Sequence, residues 1–176
     1  MAKIVTELYD DIWANFDKEM IKEAYKLLKT RLKRNEIPLK ILKNKKVLDM
    51  GCGSGRYSIA LKKLGAKKVI GMDFGEGKKL KYKGVQYVNG SALKLPFEDN
   101  SFDFVFCNGV LHHTTDPIKG IKEMYRVLKP NCWSWLFVCG ECKFYEMLDD
   151  IRKNLNSKDS KKFRKLLELW QLPKQK

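Results

Sequence analysis

Three alternating glycines and an acid that precedes them form the part of this sequence best suited to chemistry. Residues 47–56 begin with an apolar run, reach Asp49, and then place glycines at Gly51, Gly53 and Gly55. Glycine allows the sharp turns of such a loop, and it lets the backbone approach a ligand where a Cβ atom would clash. A carboxylate ahead of the glycines repels a pyrophosphate and attracts an ammonium group, so the loop predicts a site for a cationic ligand.

A second acid follows at the end of the next apolar run. Residues 68–72 lead into Asp73 and Phe74. An acid at the tip of a second strand can accept hydrogen bonds from both hydroxyls of a ribose, and a neighbouring aromatic ring can cover a purine. The second acid and its aromatic neighbour therefore suit an adenosine, and the first acid suits a positive charge.

Four blocks of this sequence resemble the class I S-adenosylmethionine-dependent methyltransferases, in the type 11 group that acts on small molecules. The blocks lie within residues 9–140 and read VLDMGCGSG, GMDFG, LPFEDNSFDFVFCNGVLHH and RVLKP. The resemblance implies an α/β fold with a Rossmann-like parallel sheet and helices on both faces. It also implies S-adenosylmethionine as cofactor and in-line methyl transfer to a small-molecule acceptor.

The resemblance assigns roles by position. Asp49 would reach the methionine amino group through water, Asp73 would bind the ribose, and Asn108 and Gly109 would lie beside the methionine carboxylate or amine. Ser91 stands where relatives usually carry an acid, so its contact with the adenine amine would be roughly half as strong. The expected cofactor-binding residues are Asp49, Gly51, Cys52, Gly53, Gly55, Asp73, Phe74, Ser91, Ala92, Leu93, Asn108, Gly109, Tyr9 and Trp13.

The catalytic candidates are His112 and His113, because histidine titrates near neutral pH and the matching LHH of relatives faces the cofactor pocket. The alternative is a structural histidine that holds its loop through a backbone hydrogen bond. A general base is optional, since alignment of the acceptor can supply about 7 to 11 kcal/mol of the acceleration. Tyr9, Trp13 and Phe16 would fold over the cofactor as a lid, or else begin a helix that packs on the sheet.

Composition bears on partners and location. The 176 residues carry a formal net charge of +15, with a sequence pI near 9.6. Such charge suits nucleic acid, but only six of the 36 basic residues are arginine and the lysines are spread along the chain. This favours a solvated surface, with nucleic acid the less favoured partner. The sequence lacks a membrane-span-length apolar run and a signal-peptide pattern, which predicts a cytoplasmic protein without a membrane partner.

The cysteines predict neither disulfides nor a metal site. Their number, five, is odd, and reduced thiols fit a cytoplasmic protein. Cys139 and Cys142 are spaced as a metal-binding or redox pair, but a structural zinc site needs four ligands and the second pair is missing. We therefore expect no bound metal.

The apolar pattern predicts a single domain over residues 1–176, with a helical lid at 1–34, a cofactor-binding core at 44–140 and C-terminal helices at 141–176. Alternating strands and helices of this kind form a parallel sheet. Helices are expected at 17–32, 57–64, 117–130 with Asp116 as N-cap, 144–155 and 163–170. Strands are expected near Val47, Val69, Val85, Phe104 and Trp135.

Only five strands can be placed, whereas the family sheet usually has seven. Residues 133–138 would then form an uncharged edge strand, and such edges pair with other chains. We expect a homodimer through this strand-five edge or through the helices that follow it, and the alternative is a monomer in which those helices cover the strand. The dimer contacts would include Phe144, Met147, Phe163 and Trp170.

Two other functions stay open. The chain could be a cofactor-binding or regulatory protein that has lost catalysis together with the C-terminal strands, or it could be an RNA methyltransferase. The pattern gives no identity for the methyl acceptor and does not say whether oxygen, nitrogen, carbon or sulfur is methylated.

Overall fold

The computed structural model describes residues 18–75 and 79–138. Within these ranges the chain forms three α-helices, two short 3₁₀ helices and five β-strands. In chain order they are α1 (Lys18–Arg34), a 3₁₀ helix (Leu39–Leu42), β1 (Lys46–Met50), α2 (Arg56–Lys63), β2 (Lys68–Asp73), β3 (Val85–Asn89), β4 (Phe102–Asn108), a second 3₁₀ helix (Leu111–His113), α3 (Pro117–Val127) and β5 (Leu128–Phe137).

The five strands form one sheet in the order β3-β2-β1-β4-β5, and every neighbouring pair is parallel. The chain starts in the centre with β1, runs outward to β3, and then returns to β4 on the other side. In open sheets of this type, ligands bind beyond the carboxyl ends of the strands where the order reverses. That point lies here between β1 and β4, and the expected Rossmann-like α/β fold is confirmed.

Apolar side chains cover both faces of the sheet. On one face Leu28 of α1 packs in a buried cluster with Val47 and Phe104. On the other face Met124 of α3 packs in a second cluster that includes Leu48. Because successive side chains of a strand point to opposite faces, a strand covered on both sides is apolar throughout. β1 and β4 therefore read as apolar runs.

The boundaries of α3 include one correction to the sequence-based prediction. The Asp116 carboxylate accepts a hydrogen bond of 2.9 Å from the Lys119 N–H, so the predicted N-cap is confirmed. The helix was expected to reach residue 130, but it ends at Val127. Leu128 is already extended and pairs with Phe102 of β4. The chain thus pairs with β4 instead of continuing the helix. This change comes two residues before Pro130, which would itself have interrupted the helical hydrogen bonds.

Several predictions concern residues outside the described ranges. They are the lid residues Tyr9, Trp13 and Phe16, the Cys139 and Cys142 pair, the helices at 144–155 and 163–170, and the dimer contacts Phe144, Met147, Phe163 and Trp170. In the described part of the chain β5 is an edge of the sheet. The homodimer, like the division into lid, core and C-terminal helices, stays a prediction.

The described ranges contain neither a membrane-spanning helix nor a metal-binding cluster. None of their helices is long and apolar enough to cross a membrane. They also contain no group of three or more histidine, cysteine or acidic side chains arranged to hold a metal ion. Cys52, Cys107 and Cys132 are free thiols.

The docking of α1 is testable with two adjacent leucines. Leu28 is fully buried, so Leu28→Ala should lower the free energy of unfolding by about 2 to 5 kcal/mol through lost packing and a residual cavity. Leu27 is 43% exposed, and Leu27→Ala should change the free energy of unfolding by about 0.5 kcal/mol or less. Urea denaturation measures both values. Equal losses in the two variants would contradict the packing of α1 on the sheet.

Candidate cofactor-binding site

The loop between β1 and α2 lies at the carboxyl end of the sheet. The backbone φ angles of Gly51, Gly53 and Gly55 are 75°, 54° and 94°, in the region that favours glycine. The N–H groups of Gly51 and Cys52 donate to the Met72 carbonyl at 2.7 and 3.0 Å. These bonds tie the loop to the end of β2, so its position is fixed by the sheet.

The structure adds a packing reason for two of the glycines to those that the sequence suggested. A Cβ atom on Gly51 would overlap the side chain of Val110, and one on Gly55 would overlap the Tyr87 ring and hydroxyl. Protein side chains therefore occupy the space beside these two glycines. Backbone conformation, as expected, and packing both require glycine there, and close approach to a ligand stays a prediction.

Asp49, near the end of β1, is a buried acid whose surface is only 2% exposed. The Ser58 hydroxyl of α2 donates to its Oδ2 atom at 2.6 Å, and Gly71 leaves room for that hydroxyl because a Cβ there would lie 2.8 Å from it. Burial raises the pKa of Asp49 to about 7; the Ser58 hydrogen bond opposes the shift, and the nearby Asp73 carboxylate adds to it. A cation placed beside Asp49 would be attracted and would lower this pKa.

Asp73 ends β2 and fastens the glycine loop. Its Oδ2 atom accepts from the Gly53 N–H at 2.7 Å, and its Oδ1 atom accepts from the Gly75 N–H at 3.0 Å. Each carboxylate oxygen can accept two hydrogen bonds, so Asp73 retains acceptor capacity for a pair of hydroxyls. The adjacent Phe74 is 66% exposed, which leaves its ring available to cover a flat ligand.

The carboxyl end of β4 carries a cluster that the sequence did not predict. The Asn108 Oδ1 atom accepts from Arg31 Nη1 at 2.9 Å and from Trp135 Nε1 at 3.3 Å. The Arg31 guanidinium lies 4.9 Å from the centroid of the Phe137 ring. A Cβ atom on the neighbouring Gly109 would meet no atom within 4 Å, so space opens beside this cluster. Arg31 therefore brings a positive charge to the site.

A second unpredicted contact comes from the segment after β2. Lys79 Nζ donates to the Gly53 carbonyl at 2.8 Å, and the Leu80 N–H donates to the Ser54 carbonyl at 2.9 Å. The Tyr87 hydroxyl donates to the Leu80 carbonyl at 2.8 Å, and burial raises the pKa of Tyr87, so this donor stays protonated. The segment is thereby fastened across the glycine loop.

The remaining cofactor-binding candidates lie in the turn after β3 and in the glycine loop. Ser91 Oγ accepts from the Leu93 N–H at 3.2 Å, and Ala92 packs against the buried cluster on the α3 side. Cys52 is buried, and burial raises the pKa of its thiol, so it is protonated at neutral pH. Their contacts with a cofactor stay predictions.

His112 and His113 lie on the 3₁₀ helix that follows β4, with ring centroids 3.9 Å apart. Burial lowers the pKa of His112, and the neighbouring His113 adds to this effect. A neutral imidazole at neutral pH can accept a proton, so His112 suits a general base better than an imidazolium would. His113 is exposed. Catalysis by either side chain stays a prediction.

These groups fit a ligand that combines a positive charge with a ribose. Asp49 provides a buried acid and Asp73 provides acceptors for hydroxyls. In the described ranges the buried hydroxyl of Ser54 has no hydrogen-bond partner, which leaves one polar group of the loop for a ligand or water. The open space at Gly109 lies at the same edge of the sheet.

A comparison with known families matches the methyltransferase domain over residues 48–136, which include the glycine loop, Asp49, Asp73 and Asn108. This chain belongs to the methyltransferase domain family. The expected class I S-adenosylmethionine-dependent group is confirmed, and S-adenosylmethionine is the cofactor that the family and the fold imply.

Curated relatives include two staphylococcal demethylmenaquinone methyltransferases. The Staphylococcus aureus protein is 38% identical over 117 residues, which cover 61% of this chain and 47% of the relative. The Staphylococcus carnosus protein is 36% identical over 135 residues, which cover 72% of this chain and 56% of the relative. The chain spans about half the length of the curated relatives it matches.

Solved structures support the same fold. A Haloferax volcanii methyltransferase, in complex with the Trm112 methyltransferase activator, is 27% identical with a TM-score of 0.58, covering 70% of this chain and 56% of that one. A Bacillus halodurans methyltransferase is also 27% identical, with a TM-score of 0.55, covering 69% of this chain and 58% of that one. The methyltransferase fold thus extends over most of the described residues.

The buried acid predicts an unusual dependence of stability on pH. Between the ordinary pKa of 3.8 and the folded value of about 7, the folded protein keeps a proton that the unfolded chain releases. The Asp49 contribution to the free energy of unfolding therefore falls as pH rises from about 4 to 7. Asp49→Asn removes this loss, so the variant should become more stable relative to the wild type across that interval.

Urea denaturation at a series of pH values measures this difference. Glu98→Gln, at an exposed acid outside the site, is the matched control and should show no such trend. A difference between Asp49→Asn and the wild type that is constant with pH would contradict the raised pKa.

Proposed function

We propose that this chain is an S-adenosylmethionine-dependent methyltransferase domain that transfers a methyl group to a small-molecule acceptor. The observation that carries the proposal is the hydrogen bond of 2.7 Å from the Gly53 N–H to the Asp73 carboxylate, beside the buried Asp49. Through this contact the carboxylate at the end of β2 meets the glycine loop that follows β1, so a hydroxyl acceptor and a buried acid lie at the same edge of the sheet. The family match supports the activity, and the chain's own residues support the cofactor orientation.

We assign the parts of the site by charge. Asp49 attracts the positively charged end of the cofactor, and Asp73 accepts hydrogen bonds from the ribose hydroxyls. Arg31, held at the end of β4 by Asn108, neutralises the methionine carboxylate, since a guanidinium forms strong charge-assisted hydrogen bonds with carboxylates. Opposite charges of the chain thus face opposite charges of the methionine moiety.

The acceptor is assigned more coarsely. The relatives named demethylmenaquinone methyltransferases support a small molecule, and demethylmenaquinone is the first acceptor to test. The protein's contribution to the reaction is to align the acceptor with the methyl group and exclude water. His112, whose pKa is lowered by burial, receives a proton if the acceptor releases one.

Calorimetric titration with S-adenosylmethionine tests the cofactor assignment. The wild type should bind, and Asp73→Ala should weaken binding by about 1.5 to 3 kcal/mol, because a charged acceptor of the ribose is lost. Glu98→Ala, at an exposed acid outside the site, should leave the affinity unchanged. Absence of binding by the wild type, or equal affinity in Asp73→Ala, would contradict the assignment.

Arg31 gives a second prediction that depends on the orientation of the cofactor. Arg31→Met should weaken binding of S-adenosylmethionine by roughly tenfold or more, because a charge-assisted hydrogen bond to the carboxylate is lost. Decarboxylated S-adenosylmethionine lacks that group, so its affinity should be the same in Arg31→Met and the wild type. Lys29→Met, on the exposed side of the same helix, is the matched control. Equal weakening for both ligands would contradict a contact between Arg31 and the methionine carboxylate.

Turnover separates an enzyme from a protein that only binds the cofactor. Release of S-adenosylhomocysteine in the presence of demethylmenaquinone, and of other small acceptors, is the expected result. Tight cofactor binding without release for any acceptor would favour the regulatory alternative. Release with an RNA acceptor alone would favour the RNA methyltransferase.

A further inference from the structure

Lysines gather at the edge of the sheet opposite the cofactor site. The segments 43–46, 62–68 and 81–84 end at or just before the first residues of β1, β2 and β3, and they contain nine lysines and no acidic residue. We name this surface the lysine edge. It consists of Lys43, Lys45, Lys46, Lys62, Lys63, Lys67, Lys68, Lys81 and Lys83, together with Tyr82.

Backbone hydrogen bonds bring the three segments together. The Asn44 N–H donates to the Gly65 carbonyl at 3.0 Å, and the Lys67 N–H donates to the Lys45 carbonyl at 2.9 Å. The Val69 N–H donates to the Gly84 carbonyl at 3.1 Å. The wide spread of lysines along the sequence favoured a solvated surface, but parallel strands place their amino ends at one edge. Lysines that are distant in sequence therefore become neighbours.

The positive charges are held close together. Lys46 and Lys68 are direct partners in the pairing of β1 with β2, and like charges in such positions destabilise a sheet. Lys62 Nζ donates to the Ala66 and Lys67 carbonyls at 2.8 and 3.0 Å, which fixes its charge at this edge. A bound polyanion would relieve the repulsion.

One of the nine lysines, Lys45, acts electrostatically on a carboxylate, that of Asp103, and contributes to its lowered pKa. The four ion pairs within the described ranges involve none of the nine lysines. Asp103, beside β1, already accepts hydrogen bonds from Lys129 Nζ and from the Lys46 N–H, both at 2.8 Å. Six of the lysines are exposed, namely Lys43, Lys63, Lys67, Lys68, Lys81 and Lys83.

An exposed aromatic ring lies among these lysines. Tyr82 stands between Lys81 and Lys83 in sequence and is 39% exposed, and Lys63 Nζ lies 5.9 Å from its ring centroid. Cationic side chains combined with an exposed ring bind single strands, because phosphates contact the charges and a base stacks on the ring. A membrane-binding surface needs several apolar side chains that enter the lipid, and Tyr82 is the one exposed large apolar side chain that the described ranges place here.

We propose that the lysine edge binds single-stranded nucleic acid through its phosphates, without reading the base sequence. Lysines act as point charges and lack the planar fork with which arginine recognises bases. Asp49 lies three residues after Lys46 in β1 and Asp73 lies five residues after Lys68 in β2, so the lysine edge begins roughly 10 Å from Asp49 and roughly 17 Å from Asp73. The surface is therefore a docking surface distinct from the cofactor site, and its function does not depend on the proposed methyl transfer.

Fluorescence anisotropy with a fluorescein-labelled 20-nucleotide oligouridine tests this proposal. The wild type should bind at about 50 mM salt, with an affinity that falls steeply as salt rises. The variant Lys43→Glu, Lys67→Glu, Lys83→Glu should bind at least roughly tenfold more weakly, with a salt slope less negative by about 2. Tyr82→Ala should bind roughly fivefold or more weakly with the slope unchanged.

The control variant carries the same change of charge elsewhere. It is Lys26→Glu, Lys119→Glu, Lys122→Glu, three exposed lysines outside the lysine edge, and it should bind within about threefold of the wild type. Circular dichroism checks that each variant folds, and the single variant Lys67→Glu replaces the triple variant if the latter is unfolded.

Three results would overturn the proposal. The first is no binding of oligouridine by the wild type at about 50 mM salt. The second is equal weakening in the lysine-edge and control variants, which would reduce the effect to net charge. The third is binding to vesicles of phosphatidylglycerol and phosphatidylcholine but not to oligouridine, which would assign the edge to a membrane surface.

Discussion

The buried carboxyl group of Asp49 determines which residues can surround it at the carboxyl edge of the sheet. Asp49 is removed from water, so the sequence must supply a hydrogen-bond donor from within the protein. Ser58 is that donor, and it reaches Asp49 because α2 begins directly after the glycine loop. Gly71 leaves the space that this hydroxyl occupies. The glycine loop, the first turn of α2 and the middle of β2 thus all contribute to the hydrogen bond of one buried acid.

The sheet separates charges of opposite sign. Its carboxyl edge carries Asp49 and Asp73, and the Asp73 carboxylate contributes to the raised pKa of Asp49, while its amino edge carries the nine lysines of the lysine edge. Parallel pairing produces this division, since every strand contributes its first residues to one edge and its last residues to the other. In the described part of the chain, these two acids and the lysine edge therefore lie at opposite edges of the sheet.

Local patterns in the sequence predicted the five strands of the sheet and the positions of two acids near the ends of β1 and β2. The apolar runs that end in Asp49 and Asp73 gave the strands, and the N-cap at Asp116 followed from its position before a proline. Contacts between distant residues had no such signal. Arg31 and Asn108 are 77 positions apart, and neither helical periodicity nor strand alternation reports on their hydrogen bond. The packing of Val110 against Gly51 could not be predicted from local sequence patterns for the same reason.

The Asn108 cluster links three elements that otherwise belong to different parts of the fold. Arg31 comes from α1, Asn108 from β4 and Trp135 from β5, and all three meet at one amide oxygen. Arg31 also lies over Phe137 at the end of β5. The edge strand β5 and the candidate cofactor site therefore share one cluster of side chains, so the position of the Arg31 guanidinium depends on residues of both.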